Sequence, residues 1–192
     1  MKLYRKFLQG EHLYLREVRE SDVNDQYYSW MNDPEINRYM ETRFFPQSEK
    51  SIAQYVQSHS SGPAEVFWAL CLNENDLHIG NGKLGPINWM NRNADVSLFI
   101  GDKAYWGKGL ASEAIGLFVH YGFHILGLHR FRAGMYVNNV GSKRAFEKNG
   151  FQVEGIFKEC GYVEGNWMDC YTMGLTRPQY ESFLKGKGKR EQ

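Results

Sequence analysis

The chain has few cysteines and no recognisable metal-binding pattern. Its three cysteines, Cys71, Cys160 and Cys170, are widely spaced, and no two of them form a Cys-x-x-Cys pair. An odd number at such spacing argues against a disulfide framework and favours a reducing compartment. His120 and His124 are four residues apart, but both fall in an apolar run without a third ligand. We therefore expect no metal site.

The chain also lacks the long apolar runs and the charge imbalance that mark membrane and nucleic-acid-binding proteins. No window approaches the ~20 apolar residues of a membrane-spanning helix, and the N-terminal residues contain no apolar core of a signal peptide. The 23 Lys and Arg residues against 22 Asp and Glu residues leave a net charge of +1. This balance gives no reason to expect DNA, RNA or a membrane as a partner, and we expect a cytoplasmic protein.

The composition is otherwise that of a globular protein with many aromatic residues. Hydrophobic residues make up 42% and charged residues 23% of the 192 residues. The length fits one domain, placed at residues 1–184. A flexible basic tail is expected at residues 185–192, although electrostatic contact with nucleic acid or lipid is an alternative for it. The 12 Phe, 12 Tyr and 5 Trp residues can build a core, but they also suit a pocket for an organic ligand.

The order of the predicted elements indicates an α+β fold, with strands and helices mixed along the chain. Alternating or apolar runs predict strands at residues 13–18, 66–72, 77–87, 94–100, 131–137, 151–157 and 168–175. Helical spacing predicts helices from Ser21 or Asp22 to about residue 32, and at residues 36–40, 48–58, 110–125 and 142–148. Helix 110–125 forms one βαβ crossover in a mostly antiparallel sheet, with helices on its flanks.

A glycine-containing loop precedes the longest predicted helix. Gly107 and Gly109 let the backbone approach a ligand without a Cβ in the way. The helix that starts there offers unpaired N–H groups and the positive end of its dipole. Lys108 adds a cation, so the loop suits a phosphate or pyrophosphate, although a turn that merely starts a helix fits the same pattern. The nucleotide-binding fingerprints are excluded, because Gly109 follows Lys108 and Ser112 replaces the third glycine.

A second group of candidates follows the strand at residues 131–137. Asn139 and Ser142 come just after this strand. In a βαβ unit both parallel strands end on the same side of the sheet, so these side chains should lie near the 107–111 loop. The competing interpretation is that either side chain only caps the short helix at residues 142–148.

Four segments resemble motifs of the GNAT acetyltransferases, in the same order along the chain. The run Tyr105-Trp106-Gly107-Lys108-Gly109-Leu110-Ala111 resembles the Q/R-x-x-G-x-G/A motif, with Trp106 where Gln or Arg is usual. Asn139-x-x-Ser142 with the following Glu147-Lys148-Asn149-Gly150-Phe151 resembles the ribosomal-protein N-terminal acetyltransferase (RimJ/RimL) type, as do residues 13–16 and 30–35. The resemblance spans about residues 10–180. It implies a GNAT fold, acetyl-CoA as the donor and a primary amine as the acceptor.

The resemblance also implies which residues hold the cofactor. The pyrophosphate would be bound at Trp106, Gly107, Lys108, Gly109, Leu110 and Ala111. The pantetheine arm would lie along the strand at 94–100, with backbone contacts at Leu98, Phe99 and Ile100. One N–H there would polarise the thioester carbonyl. Asn139 would contact the arm and Ser142 would give a proton to the leaving thiolate, with Tyr136 and Tyr162 as alternative donors.

The group that takes the proton from the amine stays open. An ammonium cannot attack, so a carboxylate or a chain of water molecules must remove its proton. Asp95 stands where related enzymes often have Glu, although a solvated surface carboxylate is the alternative. Glu41 lies in a region that lines the acceptor pocket of the fold, with Glu164 and Asp169 as weaker candidates. Arg43 could instead bind an anionic group of the acceptor.

The identity of the acceptor amine also stays open. The resemblance fits protein N-termini, amino sugars or their nucleotides, polyamines and aminoglycosides, and the net charge of +1 argues against a polyamine specialist. We expect an N-acetyltransferase, monomeric or homodimeric, in which a small-molecule or peptide amine attacks acetyl-CoA directly in a ternary complex. The alternative is a non-catalytic acyl-CoA-binding regulatory module, which Trp106 and the lack of an unambiguous base favour.

Overall fold

The centre of the molecule, in a computed structural model that describes residues 6–59 and 62–188, is one sheet of eight strands. The strands are β1 (Leu8–Gln9), β2 (Leu13–Glu17), β3 (Val66–Leu72), β4 (His78–Asn88), β5 (Asn93–Ile100), β6 (Arg130–Tyr136), β7 (Gln152–Val163) and β8 (Asn166–Thr176). They lie in the order β1-β2-β3-β4-β5-β6-β8-β7. Within the described residues, only β5 and β6 are parallel neighbours, which confirms the predicted architecture.

Helices cover both faces of the sheet. The α-helices are α1 (Asp25–Asn32), α2 (Glu49–His59), α3 (Leu110–His124), α4 (Val140–Glu147) and α5 (Arg177–Gly188). Along β2, Leu13 and Leu15 belong to the buried cluster that contains the apolar residues of α3. Tyr14, between them, belongs to the cluster that contains α1 and α2. Because strand side chains alternate, the two clusters lie on opposite faces.

The first helix begins later than predicted. Asn24 caps α1, because its side chain accepts hydrogen bonds from the first turn. Asp22, which was predicted with Ser21 as a cap, instead accepts bonds of 2.7 and 2.8 Å from the guanidinium of Arg16. Burial acts to raise the pKa of Asp22, but the hydrogen bonds from Arg16 and the backbone of Arg19 outweigh it and keep the pKa below its usual value. A buried carboxylate needs such partners.

Two other segments also differ from the prediction. Residues 36–40, predicted as a helix, form turns, and a 3-10 helix follows at Glu41–Phe44. Helix α5 was not predicted; Tyr180 on it packs against Phe123 of α3, with ring centroids 5.3 Å apart. The helix takes in residues 185–188 of the predicted tail, and residues 189–192 lie outside the described residues.

A disulfide bond joins Cys160 and Cys170, which corrects the expectation that the cysteines are unpaired. Strands β7 and β8 run past their predicted ends and form one long hairpin. An irregularity between Phe157 and Gly161 places Cys160 near Cys170, with Cα atoms 6.0 Å apart. The pairing of β7 with β8 therefore brings together two cysteines whose spacing in the sequence did not suggest a bond. Cys71 is free and buried.

We expect this disulfide to stabilise the fold by about 2 kcal/mol, because it closes a short loop in the unfolded chain. Urea unfolding of wild type and of the Cys160→Ser/Cys170→Ser variant, both without reductant, should differ by that amount. Adding a reductant should bring the wild type to the stability of the variant and leave the variant unchanged. Equal stabilities without reductant would contradict the prediction.

Candidate active site

The two parallel strands separate after three residue pairs, which run from Asn93–Arg130 to Asp95–Arg132. Beyond this point β5 stays paired with β4 as far as Ile100. Its other edge, from Val96 to Ile100, has no strand partner among the described residues. A free strand edge presents unpaired backbone N–H and C=O groups. Such an edge suits a ligand that carries amide groups of its own.

The loop after β5 leads into α3 and is open to a ligand. Gly107 and Gly109 have φ angles of 73° and 83°, and a Cβ added to either would meet no atom within 4 Å among the described residues beyond its chain neighbours. Positive φ favours glycine at both positions. Gly109 is also the N-cap of α3 and has no side chain to satisfy the first amides of the helix. These amides and the positive end of the helix dipole suit a pyrophosphate.

Trp106 shapes this loop instead of offering a donor to it. Its backbone N–H donates to the Lys103 carbonyl at 3.1 Å, and its indole N–H donates to the Ile100 carbonyl at 2.7 Å. Both N–H groups are therefore used within the chain, and neither is free to bind the pyrophosphate as predicted. The indole bond ties the loop to the end of β5. Lys108, with Nζ 5.0 Å from the ring centroid of Tyr105, remains beside the glycines as a cation.

Two side chains that the sequence did not reveal hold the first turn of α3. Asn149 is buried, and its Nδ2 donates to the carbonyls of Ser112 at 2.8 Å and Ala145 at 2.9 Å. This amide links the end of α4 to the start of α3. Glu113 accepts a hydrogen bond from the Leu13 N–H at 3.2 Å, which links the same turn to β2. Neither contact has a local sequence signal, because each joins elements that are distant along the chain.

The N-cap of α4 is Asn139 and not Ser142. The Asn139 Oδ1 atom accepts a hydrogen bond from the Ser142 N–H at 3.2 Å. Ser142 is the third residue of α4 and is half-buried. Its hydroxyl has no hydrogen-bonding partner among the described residues. The capping interpretation is thus correct for Asn139 and wrong for Ser142, whose hydroxyl remains available for chemistry.

Glu41, Arg43 and Tyr136 form one hydrogen-bonded group at the end of β6. The Tyr136 hydroxyl donates to Glu41 Oε1 at 2.7 Å and accepts from Arg43 Nη2 at 2.9 Å. The guanidinium also donates to the carbonyls of Tyr162 and Met40, at 2.7 and 2.6 Å. Burial and the bond to Glu41 raise the pKa of Tyr136 above its usual value, against the influence of Arg43. The Arg43 guanidinium is therefore engaged in hydrogen bonds within the chain, and it is poorly placed to bind an anionic acceptor.

The other carboxylates considered from the sequence lie in ion pairs. Asp95 faces Arg132 where β5 and β6 are still joined. The pairs are Asp95 with Arg132 at 2.8 Å, Glu164 with Arg38 at 2.9 Å, and Asp169 with Lys158 at 2.7 Å. These positions match a structural role for the three carboxylates.

A cavity of about 280 Å³ lies on the sheet face covered by α1 and α2, and we call it the acceptor cavity after the role that we propose for it. Leu98 and Phe99 of β5 form part of its wall, so it adjoins the free edge of that strand. The rest of the lining is Tyr27, Met31, Met40, Thr42, Gln47, Ser51, Ile52, Tyr55, Phe67, Asn81, Gly82, Lys83 and Ser97. Among these described residues, only Lys83 belongs to a charged type.

The described residues contain neither a cluster of metal ligands nor a membrane-spanning helix. No group of three or more His, Cys, Asp or Glu side chains in this part of the chain could hold a metal ion. His120 and His124 lie side by side on α3, with ring centroids 4.7 Å apart. No helix between residues 6 and 188, outside the undescribed residues 60 and 61, is long and apolar enough to cross a membrane.

Residues 12–152 match the family model of the acetyltransferase (GNAT) domain. The chain belongs to the GNAT acetyltransferase family. The N-acetyltransferase p20 of Bacillus licheniformis, itself uncharacterized, is 33% identical over 178 residues, which cover 90% of this chain and 97% of that protein. The probable N-acetyltransferase YjcK of Bacillus subtilis is 37% identical over 135 residues, which cover 69% of this chain and 72% of YjcK.

A solved GNAT structure has the same fold. The spermidine N-acetyltransferase of Vibrio cholerae, in complex with CoA and spermine, matches with a TM-score of 0.79 at 25% identity. The match covers 88% of this chain and 97% of that one. The predicted family is thus confirmed, whereas the RimJ/RimL subtype is not, because the relatives include spermidine acetyltransferases. The non-catalytic alternative gains no support from them.

This GNAT protein is an acetyl-CoA-dependent N-acetyltransferase, and its residues fit the cofactor. The free edge of β5 can pair with the amides of the pantetheine arm, as an added strand would. The open space at Gly107 and Gly109, with the first amides of α3, fits the pyrophosphate. Leu110 is buried in the core, so only its backbone can take part.

Proposed function

We propose that the enzyme acetylates a primary amine by direct attack in a ternary complex. This proposal rests on one observation: the acceptor cavity and the strand edge that fits acetyl-CoA share residues. Leu98 and Phe99 line the acceptor cavity and also belong to the free edge of β5. An amine in the cavity would therefore lie beside the arm of acetyl-CoA, which supplies the activated acetyl thioester.

The cysteines argue against a route through an acetylated thiol. Such a route needs an accessible thiolate. Cys71 is fully buried, and burial raises the pKa of its thiol. Cys160 and Cys170 are joined to each other. No cysteine in the described residues therefore offers a nucleophile, and direct attack by the amine is the simpler route.

Ser142 provides the proton for the leaving thiolate in this proposal. Its hydroxyl is uncommitted, and its position at the start of α4 follows directly on β6. As the new N–C bond forms and the C–S bond breaks, the hydroxyl donates to the sulfur and recovers a proton from solvent. Tyr136 is less suited, because its own proton is already donated to Glu41. Asn139 caps α4 with its oxygen and keeps its amide N–H groups for the pantetheine arm.

Glu41 removes the proton from the amine. It lies between Met40 and Thr42, which both line the acceptor cavity, and its carboxylate is exposed to water. Its bond to Tyr136 fixes it at the end of β6. A carboxylate in this position can take the proton through one water molecule and pass it to solvent.

We expect Glu41→Gln to lower kcat/KM roughly 10²-fold near neutral pH, because proton removal by a positioned carboxylate is lost. The loss should shrink at higher pH, where more of the amine is already neutral. Asp95→Asn is the matched control and should change the rate less than about threefold, since Asp95 only pairs with Arg132 at the surface. Initial rates of CoA thiol release against pH measure both. A larger loss in Asp95→Asn would assign the base to Asp95.

The acceptor candidates are a protein N-terminus, an amino sugar or its nucleotide, and, from the spermidine acetyltransferases among the relatives, a polyamine. A panel of these amines with acetyl-CoA tests the proposed function. We expect thiol release only when an amine is present, and no acetylated protein by mass spectrometry in its absence. An acetylated protein that forms without amine would contradict direct attack.

A further inference from the structure

Building on the proposed function, we infer that the acceptor is a small primary amine with an apolar body and no second positive charge. The size of the acceptor cavity supports a small ligand. Its volume of about 280 Å³ is just below the range of pockets for small organic molecules, which is roughly 300–1,000 Å³. A sugar nucleotide is too large to be enclosed there.

The wall of the cavity is apolar over most of its surface. Met31, Ile52, Phe67 and Phe99 come from four different elements and meet around the same space. Ile52 is buried, and Phe67 and Phe99 pack against the cluster that contains it. An alkyl chain or a ring would remove apolar surface from water at this wall, which favours its binding.

Two neutral oxygen atoms can receive the N–H groups of one amine. Asn81 is buried, and its Nδ2 donates to the Trp68 carbonyl at 3.3 Å, which fixes the orientation of the amide. Its Oδ1 atom and the Thr42 hydroxyl are buried, and neither makes a hydrogen bond of normal length with a described residue. Both residues line the acceptor cavity. A buried acceptor without a donor is unfavourable, and an amine N–H would satisfy it.

The charges around the cavity disfavour a second ammonium. Lys83 donates to the Tyr55 hydroxyl at 3.1 Å and pairs with Glu65 at 3.3 Å. Burial acts to lower the pKa of Lys83, but these two partners outweigh it and raise the pKa, so the lysine is charged at neutral pH. Glu65 is further engaged with His59 at 3.4 Å. A second ammonium would meet Lys83 and no carboxylate among the described lining residues, so its desolvation would go uncompensated.

Hexylamine and 1,6-diaminohexane form a matched pair that tests this inference, because they differ only by the second amine. We expect kcat/KM for hexylamine to exceed that for the diamine, and that for spermidine, by at least about tenfold. Calorimetry with the CoA-bound protein should show the same order of affinities. Equal or better turnover of the diamine or spermidine would overturn the inference. Turnover of neither, with hexylamine still binding more tightly, would overturn the proposed function and leave the inference about the cavity standing.

A charge-removing variant ties the preference to Lys83. Lys83→Gln should lower the ratio of kcat/KM for hexylamine to kcat/KM for the diamine by about threefold or more, since the repelling charge is gone. Lys185→Gln on α5 makes the same change in net charge outside the cavity and should leave this ratio unchanged. Equal effects of the two variants, or no effect of Lys83→Gln, would overturn the role given to Lys83.

Discussion

Replacing Gly109 with valine should weaken coenzyme A binding at least about 100-fold in a protein that still folds. The φ of 83° and the empty space around the added Cβ both follow from the structure. A valine there would place two methyl groups in the space that the pyrophosphate needs. The same side chain is strained at positive φ, which costs of order 1–3 kcal/mol of stability.

Gly127→Val is the matched control for the strain. Gly127 has a φ of 65° and lies past the other end of α3, and an added Cβ would likewise meet no described atom within 4 Å beyond its chain neighbours. It should lose similar stability and keep its affinity for coenzyme A. Calorimetry with coenzyme A and urea unfolding separate the two effects. A folded Gly109→Val protein with unchanged affinity would show that the pyrophosphate binds elsewhere.

The sequence predicted those parts of the fold that depend on local patterns. The apolar run at residues 66–72 coincides with β3, and helix 110–125 is within a residue of α3. Both are largely buried, so their apolar patterns are strong. Short or partly exposed elements such as β1 and α5 carry weaker patterns. They form because tertiary contacts, for example that of Tyr180 with Phe123, add to weak local preferences.

The same distinction applies to the site. The glycine loop was predictable, because two glycines before a long helix are a local signal with a physical meaning. The group formed by Glu41, Arg43 and Tyr136 was not, since Tyr136 is more than 90 residues away from the other two in the chain. The same holds for Asn149, whose amide bridges two helices. Long-range hydrogen bonds of this kind leave no trace in spacing or periodicity.

Because Asn139 and not Ser142 caps α4, helix capping and proton donation can be tested on two different residues. Asn139→Ala removes the side-chain oxygen that accepts the Ser142 N–H, and it should lower the free energy of unfolding by about 1 kcal/mol. Ser142→Ala removes a hydroxyl without a partner in the described residues, so the stability should change by less than about 0.5 kcal/mol. Urea unfolding of the two variants measures this contrast.

The rates should show the opposite order. Ser142→Ala should lower kcat by roughly 10²–10⁴, because the thiolate loses its proton donor. Ser142→Asp should be as stable as wild type or more so, since a negative charge in the first turn of α4 interacts favourably with the helix dipole. It should nevertheless be as slow as the alanine variant, because an ionised carboxylate has no proton to give and repels the thiolate. Single-turnover thiol release with saturating acetyl-CoA measures the chemical step. A wild-type kcat in Ser142→Ala would refute the assignment and move the donor to Tyr136 or Tyr162.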